Sequence, residues 1–420
     1  MRPRCLWPKT GAEAEETWPF SCGGVVPTSR EPIVPPSCDP RPAGWTAISS
    51  PTKAIAAPSD ARVDFGSWYG DGVAWTGREV LAMATLIRSP SGSTDYTYEA
   101  APVAYAPSSD TWRAIPKPPG HRERTVWTGT LWLYLLDRSG TVDGYAFDPK
   151  TEVWATIPRA PLAAREAPAM AWATATKELI IWGGYVPYAD PARVPASVTH
   201  VHADGAAYDP ATGRWRTIAK SPLPGGWFVR AAWDGERLVL AQPANSVGVD
   251  DGGGELCDFP RAGSAAYDPS TDTWSPICEP PYSRRIARFA APIADGQTVF
   301  FGGWGGSCFD GDGPPDFGDG VIFDSRTGMW ATIPEGARLG MGPDHGGVPP
   351  MIWTANGKLY QYWGVGDSLV PEGGTVFDPI TRAWSPLPFR MRYAAYDTLH
   401  VWTGCELIAL TLDGGWRFTP

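Results

Sequence analysis

"AAYDPATGRW" spans Ala206 to Trp215, and "AAYDPSTDTW" spans Ala265 to Trp274. Nearly the same ten residues occur twice, and the phrase carries its own physical account. Asp-Pro opens a tight turn: proline presets φ at the second turn position, and the aspartate carboxylate accepts hydrogen bonds from backbone N–H groups just ahead. Small and aromatic residues alternate before the turn as in a strand, and the tryptophan after it begins the returning strand. The phrase reads as a β-hairpin that places one large aromatic at a fixed position.

Looser copies recur as "VAYAPSSDTW" ending at Trp112, "GYAFDPKTEVW" at Trp154, "VIFDSRTGMW" at Trp330 and "GTVFDPITRAW" at Trp384. Ahead of each phrase lies a fainter signal, two apolar strands joined by a tight turn. Examples are "VAWTGREVLAMAT" from Val73, "TVWTGTLWLYLL" from Thr125, "AAWDGERLVLAQ" from Ala231, "PIADGQTVFFGG" from Pro292 and "MIWTANGKLYQYWG" from Met351. Each unit therefore holds four short antiparallel strands, A to D. A period of about 50 residues with four strands per unit is the signature of a β-propeller.

The wording resembles the Kelch repeat, in which an apolar strand ends in Gly-Gly and is followed by Tyr-Asp-Pro and then Trp. "LIIWGG" (Leu179 to Gly184) before "YDPATGRW" is a good copy, as is "VFFGG" (Val299 to Gly303) before "FDSRTGMW". Blades 1, 2, 4 and 7 lack the Gly-Gly. The resemblance runs from Cys38 to the C-terminus and implies an all-β Kelch-type propeller of the galactose-oxidase kind. The chain ends on "LHVWTG", "CELIALTL" and "GGWRFTP", which supply strands A, B and C of a last blade but no strand D. "CDPRPAGWTAIS", from Cys38, supplies it, with Trp45 in the repeat position. Residues 38–50 are thus expected to complete blade 7, giving seven blades in one domain over 38–420. The Pro-rich residues 1–37 read as a strap or a partly disordered leader.

Composition agrees with this reading. The 420 residues include 48 Gly, 45 Pro and 22 Trp, which suits short strands, tight turns and aromatic packing between sheets. A formal net charge of −10 argues against nucleic acid or an anionic membrane as partner. No apolar run is long enough to span a bilayer.

Chemistry is expected on the face that carries the B–C and D–A loops, because the A–B and C–D turns are short and repetitive while the B–C loops are long. A polar ring stands there at the start of the A strands, around the mouth of the central channel. Its catalytic candidates are His121, Arg165, Tyr69 and Tyr396. Its ligand-binding candidates are Arg122, Glu166, Trp227, Arg230, Arg288 and His345. In Kelch-type repeats an arginine commonly stands at this place structurally, bonded to loop carbonyls. Loop aromatics, Tyr96, Tyr98 and Tyr185 among them, suit stacking on sugars, anchoring a protein, or packing back onto the propeller. His200 and His202 have a strand-like i, i+2 spacing that can share a metal.

Asp250 and Asp251 on blade 4, with Asp310, Asp312 and Asp316 on blade 5, offer hard oxygen ligands on Gly-rich loops, which suits Ca²⁺. The EF-hand spacing and its terminal Glu are missing, and solvated acidic loops are the plain alternative. A Cys257–Cys278 bridge would staple a long loop to its own blade, and a Cys38–Cys405 bridge would lock the ring closure. Two such bridges favour an oxidising compartment, so the protein is expected to be secreted or periplasmic, although "MRPRC" opens no apolar signal segment. It is read as a monomeric binding module for a protein or carbohydrate partner. The alternative is a polysaccharide-acting enzyme, since some similar propellers are lyases that use His, Tyr and Arg at the channel mouth. Galactose oxidase is a copper enzyme with two Tyr, two His and a Cys-linked Tyr, a constellation not matched motif by motif in this chain.

Overall fold

Trp45 lies opposite Phe418, and this pairing closes the molecule: β1 (Gly44–Ala47) runs antiparallel to the last strand of the chain. The computed structural model describes residues 41–65, 72–88, 96–136, 139–186, 201–226, 229–241, 263–281, 289–303, 317–336, 351–363, 373–387, 399–411 and 414–420, with short pieces at 248–249, 255–256 and 287. After β1 come helix α1 (Thr52–Ile55) and β2 (Arg62–Asp64). Blade 1 is β3 (Val73–Trp75), β4 (Val80–Arg88), β5 (Thr97–Ala106) and β6 (Thr111–Ala114). Blade 2 is β7 (Arg124–Trp127), β8 (Trp132–Leu135), β9 (Gly144–Asp148) and β10 (Val153–Ile157). Blade 3 is β11 (Ala169–Ala173), β12 (Glu178–Trp182), β13 (Gly205–Asp209) and β14 (Arg214–Thr217).

Blade 4 holds β15 (Ala231–Trp233) and β16 (Leu238–Ala241), a small ribbon of β17 (Gly248–Val249) and β18 (Glu255–Leu256), then β19 (Ser264–Asp268) and β20 (Thr273–Ile277). Blade 5 is β21 (Phe289–Ala294), β22 (Gln297–Phe301), β23 (Gly320–Asp324) and β24 (Met329–Ile333). Blade 6 is β25 (Met351–Ala355), β26 (Lys358–Trp363), β27 (Gly373–Asp378) and β28 (Ala383–Pro386). Blade 7 is β29 (Leu399–Trp402), β30 (Leu407–Thr411) and β31 (Gly414–Thr419), completed by β1. Each A strand lies beside the A strands of its two neighbours, from β3 through β7, β11, β15, β21, β25 and β29 and back to β3. This is a closed ring of seven blades, a Kelch-type β-propeller, and closure removes the edge that an open ring would expose.

Register explains the tryptophan content. In every blade one row of side chains crosses all four strands. Blade 1 reads Trp75, Val80, Tyr105, Trp112, and blade 4 reads Trp233, Leu238, Tyr267, Trp274. The repeat tryptophan on strand D always faces an aromatic on strand C, with ring centroids 4.8 to 5.3 Å apart. Such directly opposed pairs are the unit of sheet stabilisation. The row packs against the preceding blade. Trp112 joins the core shared with blade 7, and Trp384 meets Phe301 of blade 5.

The indole N–H of six repeat tryptophans donates to a backbone carbonyl just past strand D of the preceding blade. The acceptors are Ser49, Pro116, Pro158, Ala219, Cys278 and Pro334, at 2.6 to 2.9 Å. Each indole therefore packs its ring against the neighbouring sheet and satisfies its single donor.

The Asp-Pro turns behave as their chemistry requires. Oδ1 of Asp148, Asp209, Asp268 and Asp378 accepts from the N–H two residues on, each at 2.8 Å. The residue two before the repeat tryptophan takes a left-handed conformation, φ +51° to +71°, at Asp110, Glu152, Gly213, Asp272, Gly328 and Arg382. A single left-handed residue closes such hairpins without splaying the strands.

Two features depart from the sequence reading. The sequence reading makes the B–C loops long, yet in blade 1 strands B and C, β4 and β5, stay paired out to Arg88–Thr97. Alternation through "YTYEAAPVAYA" sustains the strand, so a hairpin projects from the loop-bearing face. Secondly, strand A of blade 1 is accompanied by β2, which pairs with the outer half of β4 from Arg62–Ile87 to Asp64–Thr85.

Candidate functional site

The described part of the loop-bearing face is best defined where blade 1 meets blade 2. The projecting β4–β5 hairpin brings Tyr96 and Tyr98 toward His121, which precedes β7. Ring centroids are 6.5 Å apart for Tyr96–Tyr98, 6.0 Å for Tyr98–His121 and 6.2 Å for His121–Tyr134. An aromatic row thus descends from Tyr96, 55% exposed, through half-buried Tyr98 and His121 to Tyr134, which is 1% exposed. Beside it, Arg122 donates to Asp143 at 2.6 Å and to the His121 carbonyl at 2.7 Å, and its guanidinium lies 4.9 Å from the Tyr145 ring centre. At the rim, Glu99 accepts from Lys117 and pairs with Arg88 at 3.5 Å. The Lys117 hydrogen bond holds the Glu99 carboxyl below the usual carboxylate range despite some burial.

Arg165 has a different setting. It is completely buried, and its guanidinium donates to the carbonyls of Ala163, Gly183 and Asp204 and pairs with the Asp204 carboxylate at 3.0 Å. Burial pulls its pKa below that of a free guanidinium, with Asp204 opposing. This is the structural arginine of a Kelch-type repeat, with no surface left for a ligand. Glu166 and Tyr185 hold each other: the Tyr185 hydroxyl donates to Glu166 at 2.7 Å, and their backbones bridge in both directions. Tyr185 is 6% exposed, so this aromatic packs back onto the propeller instead of forming an open platform. Arg230 is half-buried just ahead of β15. Among the ring candidates, His121 and Arg122 come together, while Arg165 and Glu166 belong to the walls of blade 3. Tyr69, Tyr396, Trp227, Arg288 and His345 lie outside the described residues.

The metal candidates Asp250, Asp251, Asp310, Asp312 and Asp316 also lie outside the described residues. Among the described residues, no group of three or more His, Cys, Asp or Glu is placed to hold a metal ion. His202 uses Nε2 on the Ala164 carbonyl, and His400 uses Nε2 on the Ile352 carbonyl. His121, His202 and His400 stand in blades 2, 3 and 7, and His200 and His345 lie outside the described residues. Both described cysteines, Cys278 at the end of β20 and Cys405 in the turn before β30, are disulfide-bonded. Cys38 and Cys257 lie outside the described residues.

On the opposite face, two arginines join neighbouring blades. Arg113 forks onto Glu79 at 2.9 and 3.0 Å and reaches Glu152 of the next blade at 2.6 Å. Arg216 forks onto Glu178 at 2.7 Å twice and reaches Tyr267 and Asp272 of the next blade. Both arginines directly follow the repeat tryptophan, and both carboxylates they reach in the next blade stand two residues before its tryptophan. W-R on one strand, with an acid two before the next W, is the sequence signal that marks such a staple.

Comparison with known proteins agrees with the geometry. No protein-family model matches the chain. Over 173 residues it is 26% identical to an F-box/kelch-repeat protein of Arabidopsis thaliana, covering 37% of this chain and 32% of that protein. The chain thus spans about a third of the length of the curated relative it matches. A fungal alcohol oxidase of the AA5 family, solved in complex with copper, superposes with a TM-score of 0.53 at 13% identity, covering 90% of this chain and 76% of that one. The structure of YjhT matches with a TM-score of 0.48 at 13% identity, over 79% of this chain and 98% of that one. The chain is similar to Kelch-repeat proteins in sequence, and the oxidase shares its fold.

Proposed function

We propose that this propeller is a binding module whose loop-bearing face receives a protein or carbohydrate partner, with its anchor at the junction of blades 1 and 2. The observation that carries the reading is the Tyr96–Tyr98–His121–Tyr134 row. It offers an exposed aromatic backed by a buried one, with polar groups at its edge, the composition that anchors ligands on protein surfaces. The contrast with the other rim supports it, since there Arg113 and Arg216 are already used in joining blades. The disulfides at Cys278 and Cys405 support an oxidising compartment, hence a secreted or periplasmic protein, with Cys257 as the partner of Cys278.

A thermal-shift screen of neutral and acidic polysaccharides, each with Ca²⁺ and with chelator, tests the carbohydrate arm. Capture of cross-linked partners on immobilised protein tests the other. A ligand at about a hundred times its Kd adds roughly 2.7 kcal/mol, which a melt reads. Binding should weaken at least tenfold in Tyr96→Ala and His121→Ala. Binding that survives both substitutions places the site elsewhere and sinks the reading. A Ca²⁺ shift without any ligand would assign the acidic loops a structural role.

One observation favours a second reading, an enzyme acting on a polysaccharide. His121 stands between two tyrosine rings with Arg122 next in sequence, the residue types that proton abstraction from a sugar acid requires. Scission of a bound glycan, abolished in His121→Ala, would establish it.

A further inference from the structure

We infer that the disulfide at Cys405 is made with Cys38 and closes the ring covalently, where β1 closes it through hydrogen bonds and packing. Cys405 sits in the turn Thr403–Glu406, held by the Thr403 N–H on the Glu406 carbonyl at 2.9 Å. A disulfide needs Cα atoms about 4.4–6.8 Å apart. Cys278 lies in blade 4 at the opposite rim, and in sequence Cys257 and Cys308 fall between the described B and C strands of blades 4 and 5, which the ring sets apart from blade 7. The partner is therefore one of Cys5, Cys22 and Cys38.

Chain path selects among them. Trp45 pairs with Phe418, and Phe418 pairs with Leu407, so the start of β1 lies at the same rim as the turn that holds Cys405. Arg41 then places Nε 4.0 Å from the Glu406 carboxylate, one residue from Cys405. Cys38 is three residues upstream, at most about 11 Å of extended chain from Arg41. Cys22 and Cys5 are far more remote along the chain, and the nearest tethered thiol has the highest local concentration. Glu406 is buried against Arg417 as well, at 4.0 Å, so Arg41 is drawn to a site already formed in the blade.

The bond forms by exchange with an external disulfide. One protein thiolate attacks it and releases one thiol, and the second protein thiolate displaces the other half. Two protein thiols are oxidised, and one external disulfide is reduced to two thiols. The closed loop runs from Cys38 to Cys405 and encloses the whole propeller, so blades 7 and 1 cannot part while it stands.

Digestion of the full chain without reduction, followed by mass spectrometry, tests the pairing on the wild-type protein. The expected result is a linked peptide pair carrying Cys38 and Cys405 that disappears on reduction. A Cys405 link to Cys5 or Cys22, or a free Cys405, overturns the inference. Melting supplies a second reading: Cys38→Ser and Cys405→Ser should lower Tm equally, and the double variant should lower it no further. A drop in Cys405→Ser with none in Cys38→Ser overturns it too.

Discussion

Trp154 Nε1 lies 2.6 Å from the carbonyl oxygen of Pro116, one blade back, and Trp330 stands in the same relation to Cys278 at 2.7 Å. The ring is held not only by apolar faces meeting, but by a donor that leaves one blade and is satisfied in the one before it. The contact repeats at Trp112, Trp215, Trp274 and Trp384. Trp45 is the exception: its Nε1 is buried and has no hydrogen-bond partner among the described residues.

That difference yields the first prediction. Trp154→Phe keeps most of the ring contact with Phe147 but loses the hydrogen bond to the Pro116 carbonyl, and should cost about 0.5–1.5 kcal/mol in urea unfolding. Trp154→Ala also loses the ring and should cost about 3–5 kcal/mol. Trp45→Phe loses no such bond and should cost clearly less than Trp154→Phe. Equal costs at the two positions would deny the hydrogen bonds any role in joining blades.

The hairpin turn gives the second. Gly213 has φ +69°, and nothing lies within 4 Å of the place a Cβ would take, so a side chain there meets open space and the only penalty is conformational. Gly213→Ala should lower stability by about 1 kcal/mol. Arg382 holds the equivalent place at φ +57° and reaches Thr332 of blade 5 with its guanidinium. Arg382→Gly relieves the backbone and loses that contact, so its net effect should fall within about 0.5 kcal/mol of zero, as for most surface substitutions. A loss at Gly213 several times the expected one would show that more than φ is at stake.

Acid should weaken the molecule through the staples between blades. The Arg113 hydrogen bonds, against some burial, hold Glu79 below its ordinary 4.5. Burial pushes Asp272 up, but bonds from the Tyr267 hydroxyl and the Ala219 N–H, with the Arg216 charge, outweigh it and leave it below 3.8. For both, the unfolded chain takes up its proton first as pH falls, so their stabilisation is complete above about pH 5 and is lost progressively below it. Glu79→Gln should flatten the fall in Tm between pH 5 and 3, while costing stability at pH 7. An unchanged slope would remove Glu79 from the acid response.

Much of this architecture was legible because one phrase carries both turn chemistry and register. Asp209 and Asp268 announce the turn, and Trp215 and Trp274 mark the strand that returns. Closure was legible because "RFTP" stops where "AYDP" continues, and Trp45 supplies what is missing. The site was less legible. Arg165 and Arg122 look alike in sequence, and only packing shows that one is sealed among carbonyls while the other borders an aromatic row. Tyr98 and His121 belong to different blades, and they meet because β4 and β5 stay paired beyond the blade, a length set by alternation through "YTYEAAPVAYA". The pairing of Arg216 with Asp272 depends on which blade lies next to which, which no single repeat encodes.

His400 supplies the last prediction, in a range where carboxylates do not titrate. It stands on β29, the innermost strand of blade 7, with Nε2 3.2 Å from the Ile352 carbonyl of β25. Burial disfavours its cation, the hydrogen bond only partly offsets this, and its pKa lies below the ordinary 6.5. The unfolded chain therefore binds a proton near pH 6.5 that the folded ring accepts only at lower pH. The stabilisation is complete above pH 6.5 and is lost as pH falls toward the folded value. Urea midpoints measured from pH 7.5 down to 5 should decline, and His400→Gln, which keeps a donor for Ile352, should reduce that decline while leaving the pH 7.5 midpoint nearly in place. An identical decline in the variant would mean that His400 keeps its proton affinity on folding, and that the junction of blades 6 and 7 is open to water around its ring.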